Sequence, residues 1–220
     1  MSEGPVEYDE RAVDRLALFS DAVAAIAITL LAIDLPVPAG NTVSAFWASV
    51  QRNDGHYAAF LLSFTAIATM WSNHHNIFRY LKRADGRLRA INTVWLLAII
   101  LNPFATKLLT SSGPETPDTE SLQFGFYALV QVLESAAVLA MLQHIVSHQQ
   151  APDAPRQAVT DTAWRSWGVL LAFGLSIPVF FATHYAWVLW IVGLLFAQLR
   201  QLRHTGRAIP EDEPSHPAGR

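Results

Sequence analysis

Charge is what this sequence has least of. Only 15% of its residues are Asp, Glu, Lys or Arg, against about 25% in an ordinary soluble domain. A soluble chain of 220 residues needs a large buried core and a charged shell around it, and there are too few charges here to build the shell. Cysteine is absent. That excludes disulfides, thiolate metal sites and cysteine nucleophiles, and leaves the redox compartment open. Basic excess is also absent: the formal net charge is −3, so nothing points to nucleic acid. The segment before the first apolar run, Met1 to Glu10, is acidic and has no basic n-region, and no small-residue cleavage pattern follows the run. The run therefore reads as a retained helix rather than a signal peptide.

Apolar residues make up 52% of the chain, and they are gathered into stretches of the length that crosses a hydrocarbon core, about 20 residues for about 30 Å. Six such segments are predicted, at 15–37, 56–80, 89–109, 121–146, 163–182 and 185–202. Between the first two, 41–54 carries Val43, Phe46, Trp47 and Val50 on one side and reads as a short interfacial helix. Pro103 and Pro178 fall inside spans three and five, where membrane helices tolerate a proline kink. Trp71, Trp95, Trp164, Trp167, Trp187 and Trp190 lie within or near span ends, and several suit an interfacial belt. Residues 149–157, with Pro152 and Pro155, read as a linker. The Pro-rich, charged end of the chain reads as disordered.

Lys and Arg orient these spans. With the N-terminus cytoplasmic, all of the 15 Lys and Arg except Arg52 and Lys107 fall on the inner side. The outer loop 111–120 carries three acids and no base. This is the positive-inside pattern, and it places both termini on the same side, in keeping with an even number of spans. The expected organisation is a cytoplasmic segment at 1–14, a six-helix membrane domain at 15–204 and a disordered cytoplasmic tail at 205–220. The expected fold class is an all-α integral membrane protein.

The first span holds two acids, Asp21 and Asp34, and acids inside membrane helices are rare without a reason. At about 100° per residue from Ile26, Leu30 lies near 40°, Ile33 near −20°, Val37 and Phe19 near 20°, and Thr29 near −60°. Asp21 lies near −140°, almost opposite, and Asp34 near 80°. The helix thus has an apolar stripe and an acid on its back. By itself the stripe is equally suited to facing lipid or packing on neighbours. Asp21 must meet donors from other helices, which fixes the rotation of the first helix. Arg15 is about 120° round from Asp21 and is a poor direct partner for it. Ala22, Ala24, Ala25, Ala27 and Ala32 make the helix slim, and small residues allow close helix approach.

Arg15-x-x-x-Phe19-Ser20-Asp21 and the following Ala22-Val23-x-Ala25-Ile26-Ala27-Ile28-Thr29-Leu30-Leu31 resemble the R-x-x-x-F-S-D signature of the transmembrane protein 175 family of potassium channels, single-repeat prokaryotic type. The likeness continues through Ser63-Phe64, Trp71, His74-His75 and Phe78, then Asn92, Leu96-Leu97, Pro103-Phe104 and Thr106. It covers 11–110 in detail. The last three spans agree in number and placement. The resemblance implies a homotetramer in the cell membrane of a prokaryote, with the first helix lining a central pore. It implies a hydrophobic constriction at Ile26, Leu30 and Ile33, with Thr29 beside it contributing to selectivity. It also places Arg15, Phe19, Ser20, Asp21, Trp71, His74, His75 and Asn92 in or around a polar network, and leaves Asp34 as an acid at the pore mouth, where the bland alternative is a solvated helix-end carboxylate. No cofactor is implied; the bound species is the permeant potassium ion, and the partners are further copies of the chain and the bilayer.

No Thr-Val-Gly-Tyr-Gly loop is present, so rings of backbone carbonyls are not available in that form. An aliphatic ring must pass a partly dehydrated ion, and potassium holds its water more weakly than sodium. Modest selectivity follows. No Arg-rich helix with charges at every third position appears, so steep voltage gating is not expected. Two other readings compete. A proton-coupled transporter or proton pathway would use Asp21, His74 and His75 as a relay; inverted repeats and broken helices, which mark transporters, are not evident in the sequence. A membrane enzyme would need a cluster of nucleophile, base or metal ligands, and only the histidine pair approaches one. Neighbouring residues on a helix diverge by about 100°, so His74 and His75 cannot easily share a metal, and His56, His144 and His184 show no ligand spacing. A role for the pair in sensing pH is physically allowed, since imidazole titrates near neutrality.

Overall fold

The computed structural model describes residues 5–111, 117–183 and 185–205. Among them are seven helices: α1 (Pro5–Ile33), α2 (Val43–Arg52), α3 (Asp54–Phe78), α4 (Gly86–Leu109), α5 (Pro117–Ser147), α6 (Arg156–Phe180) and α7 (Val188–Thr205). The helix expected between the first two spans is α2, and Thr42 caps it by accepting a hydrogen bond from the Ala45 amide. Pro103 and Pro178 lie within α4 and α6. Four helices, α1, α4, α5 and α6, are long and apolar enough to cross a membrane.

The first helix differs from expectation at both ends. It begins at Pro5, so residues 5–14, expected before the membrane domain, are already helical. It stops at Ile33, which puts Asp34 and Val37 beyond the helix. Pro36 and Pro38 follow within a few residues, and proline both lacks an amide and pushes its predecessor out of helical geometry. Val37 therefore does not extend the apolar stripe. The expected turn at Thr183-His184 falls partly on His184, outside the described residues, as does 206–220 of the expected tail.

α3 sits in the middle, touching α1, α4, α5, α6 and α7. It has 25 residues, enough for a span, yet it holds no continuous stretch as apolar as those of the four helices above. The reason is its polar content, and the buried polar groups of α3 bond to the helices around it. Ser63 bonds Tyr127 of α5 (2.9 Å) and accepts from Thr106 of α4 (2.7 Å). Thr69 accepts from Gln198 of α7 (2.9 Å). Asn73 donates to Ser166 of α6 (3.2 Å). In an apolar surround such bonds are the alternative to an unsatisfied group.

The second half closes by short antiparallel packing of α5, α6 and α7. Phe124, Tyr127, Phe173 and Trp190 form a buried aromatic cluster, and Trp190 donates to Ser176 (2.7 Å). Trp95 and Trp190 are thus core residues rather than part of an interfacial belt, while Trp164, Trp167 and Trp187 are exposed. At Gly193 a Cβ would stand 2.3 Å from Ala172 Cβ, so the approach of α7 to α6 requires glycine there.

One end of the bundle is latched by two loops. Asp85 caps α4 by accepting from the Leu88 amide (2.8 Å), and the same carboxylate accepts from His144 Nε2 of α5 (2.8 Å). Lys82 donates its amide to Gln150 O (2.9 Å), and Arg83 donates to His148 O (3.0 Å). The Leu88 amide and then His144 hold the Asp85 carboxyl below its ordinary value. A carboxyl depressed in the fold contributes stability that is present above its unfolded value and lost as pH falls through the folded one. The latch is expected to hold at neutral pH and to loosen below the usual carboxylate range. Asp85→Ala is expected to cost about 1 kcal/mol as a lost cap and to flatten that acid limb, read by thermal unfolding across pH. An unchanged acid limb would show that Asp85 is not its source.

α5 ends in a Schellman turn. Gln149 adopts φ 50°, the Gln149 amide bonds Val146 O (3.3 Å) and the Gln150 amide bonds Ile145 O (3.0 Å). This left-handed position costs a residue with a Cβ about 1 kcal/mol relative to glycine. Gln149→Gly is therefore expected to raise the thermal midpoint, and a fall would mean that the Gln149 side chain contributes more than its backbone strain.

Candidate functional site

Opposite faces of α1 have opposite fates. Val13, Ser20, Ala24, Ala27 and Leu31 are buried against α3 and α4. Their spacing of 7, 4, 3 and 4 residues follows one helical stripe. The other side carries Phe19, Ile26, Leu30 and Ile33, exposed to 59, 58, 42 and 76%. The alanines of the buried side let α1 lie close on its neighbours, and the large aliphatic groups are left uncovered by this chain. Thr29 is exposed beside them, its hydroxyl donating back to Ile26 O (2.8 Å).

The polar network lies behind the stripe. Trp71 Nε1 of α3 donates to Asp21 Oδ1 (2.8 Å), so the acid on the back of α1 meets a donor from another helix. Asn92 of α4 donates to Ser20 Oγ (3.1 Å), and Ser20 donates to Leu16 O (2.8 Å). With its amide nitrogen on Ser20, Asn92 presents Oδ1 to His74, whose Nε2–H therefore donates (2.8 Å). Ser20, Asn92 and His74 are all buried. The His74 ring is sandwiched between Phe78 and Trp95, with centroids 3.8 and 4.2 Å away. Three helices are thus keyed together at one depth.

The remaining signature residues stand apart. Arg15 is exposed and makes no hydrogen bond or ion pair among the described residues. Phe19 is exposed on the stripe. His75 is exposed, its ring 5.5 Å from that of Trp71. His74 and His75 therefore face different surroundings, and among the described residues no group of three His, Cys, Asp or Glu is placed to hold a metal. Asp34 is not a lone helix-end acid: Lys107 in the last turn of α4 donates to it (2.9 Å). Such a surface pair is worth about 0–1 kcal/mol, but it offsets the negative charge of Asp34.

A second buried cluster went unread in the sequence. Glu134 of α5 accepts from Asn102 of α4, and Gln131 donates to Asn102 Oδ1 (2.8 Å). All three are buried. The available signal was an acid in the middle of the apolar run 121–146, the same signal that singled out Asp21.

Comparison with known proteins bears on this arrangement. The family described as endosomal/lysosomal potassium channel TMEM175 matches residues 15–103, the part holding α1, the stripe and the network. A Streptomyces collinus protein named a potassium channel is 34% identical over 179 residues, which cover 77% of this chain and 86% of that protein. The human endosomal/lysosomal proton channel TMEM175 is 29% identical, with 94% of this chain aligned to 46% of its length. The crystal structure of a lysosomal potassium-selective channel TMEM175 homolog from Chamaesiphon minutus superposes with a TM-score of 0.70 at 26% identity, over 88% of this chain and 98% of that one. This chain belongs to the TMEM175 family.

Proposed function

We propose that the chain is one subunit of a leak-type potassium channel, with α1 from each of four copies lining a central pore. The carrying observation is the uncovered stripe Phe19, Ile26, Leu30 and Ile33, turned away from the buried face that carries Ala24 and Ala27. Hydrophobic residues facing an axis make a narrow ring that dewets or passes a partly dehydrated ion. Potassium loses water more readily than sodium, so the ring favours potassium modestly. Thr29 contributes a hydroxyl beside it. In this reading α1, α3, α4, α5, α6 and α7 are the six spans, and the basic inner loops keep both termini cytoplasmic. The chain aligns to 46% of the human relative, in keeping with several copies completing one pore. Asp34, balanced by Lys107, gives the outer mouth little net charge. The Ser20–Asn92–His74 chain and the Asp21–Trp71 bond hold α1 at the rotation that turns the stripe inward.

The test is purified protein in liposomes with a potassium gradient. The expected result is a conductance whose reversal potential moves toward that of potassium. Vesicles that carry no current would end the channel reading. The proton alternative draws on the printed name of the human relative, but in this chain neither Asp21 nor His75 is hydrogen-bonded to His74. The relay it would need is interrupted, and the network suits anchoring better.

A further inference from the structure

At the latched end of the bundle, a cleft of about 480 Å³ opens between α3, α5 and α6. Its volume is within the range of about 300–1,000 Å³ typical of ligand clefts. Ile77, Leu142, Ile145, Val146 and Val159 supply apolar walls, and Arg156 stands on the rim. Three neighbouring cations are engaged: Lys82 pairs with Asp153 (3.6 Å), Arg83 donates to His148 O (3.0 Å), and Arg79 lies over and donates to Tyr80. Arg156 is exposed and has no ion pair, and its side chain has no hydrogen bond, among the described residues. It is also the first residue of α6. A cation there sits at the positive end of the helix dipole, so its position is unfavourable until an anion joins it.

We propose that this cleft binds an anionic phospholipid, with the phosphate on Arg156 and an acyl chain along the apolar walls. Basic pockets between membrane helices take acidic headgroups in this way, and the guanidinium is suited to phosphate geometry. The cleft lies at the end of three helices where Lys and Arg collect, which is the level of the headgroups. An uncharged lipid could fill the walls but would leave Arg156 unmatched. The inference rests on the chain's place in a bilayer and not on ion conduction, so a preparation that passes no current still tests it.

The experiment is native mass spectrometry of the purified channel with added phosphatidylglycerol or phosphatidylcholine. Wild-type protein is expected to retain phosphatidylglycerol preferentially. Arg156→Gln is expected to weaken that retention roughly fivefold, the equivalent of about 1 kcal/mol for one cation at a membrane surface, and to leave phosphatidylcholine unaffected. Val146→Trp, at an exposed wall position, keeps the charge and fills the cleft, and is expected to lose the preference as well. Unfolding midpoints without added lipid check that both variants fold. Equal retention of the two lipids by wild type, or an undiminished preference in both variants, overturns the proposal. Displacement of phosphatidylglycerol by inorganic phosphate would overturn it in favour of a free-anion site. Loss of subunits from the assembly in either variant would overturn it in favour of a second copy covering the cleft.

Discussion

Ile26→Ser is expected to raise potassium flux through the reconstituted channel and to reduce its preference over sodium. Ile26 lies midway along the uncovered stripe of α1, and four isoleucines meeting at an axis would offer no polar group to replace lost water. A hydroxyl at each position supplies that group and narrows the difference in dehydration cost between the two ions. An increase of roughly tenfold corresponds to taking about 1.4 kcal/mol off the barrier. Leu171→Ser is the control. Leu171 is equally apolar and exposed, but it lies on α6, which does not pack on α1, and its replacement is expected to leave flux unchanged. If Ile26→Ser folds and conducts as the wild type does, the constriction lies elsewhere, with Leu30 and Ile33 next to be tested. If Leu171→Ser gives the same increase, the effect is not one of the pore.

The largest effect on stability is expected for Asn92→Ala. Asn92 joins α4 to α1 through Ser20 and to α3 through His74. Among the described residues His74 Nδ1 has no partner, so its bond to Asn92 is the one hydrogen bond its ring makes there. Removing the amide leaves a buried imidazole unpaired between two aromatic rings. The cost is about 1–3 kcal/mol for the stranded polar group, with a further contribution from the small cavity. Tryptophan fluorescence during thermal unfolding in detergent reads this directly, and the flux is expected to fall with it because α1 loses its fixed rotation. Asn92→Asp keeps the acceptor toward His74 while losing the donor toward Ser20, and is expected to be milder. Arg15→Gln is expected to change the midpoint little, since Arg15 is exposed and unpaired within the described residues. An unchanged midpoint in Asn92→Ala would remove the network as the anchor of α1.

Much of the membrane architecture was legible because the bilayer makes its demands locally. A span must be apolar over about 20 residues, and an acid within one stands out wherever its partner lies. Asp21 could be recognised as needing a donor from another helix, although Trp71 could not be deduced as that donor by periodicity. The stripe and the back of α1 followed from 100° steps, and the buried set Val13, Ser20, Ala24, Ala27 and Leu31 lies where that arithmetic puts the side facing away from Ile26. The same arithmetic failed at Val37, because it assumes a helix and the prolines at 36 and 38 end it.

What the sequence by itself determined is the class of protein, the motif of α1 and the division of that helix into two faces, since each depends on residues within a few turns of one another. Only the tertiary structure decided which distant groups meet. Lys107 balances Asp34 from 73 positions away, and Asn92 reaches Ser20 across 72. Asn102 and Gln131 surround Glu134, and Trp95 is core rather than belt. The physical reason is that a buried polar group requires a partner but does not specify one. Its choice among several asparagines, serines and tryptophans at one depth depends on helix crossings and rotations, and these are properties of the packed bundle.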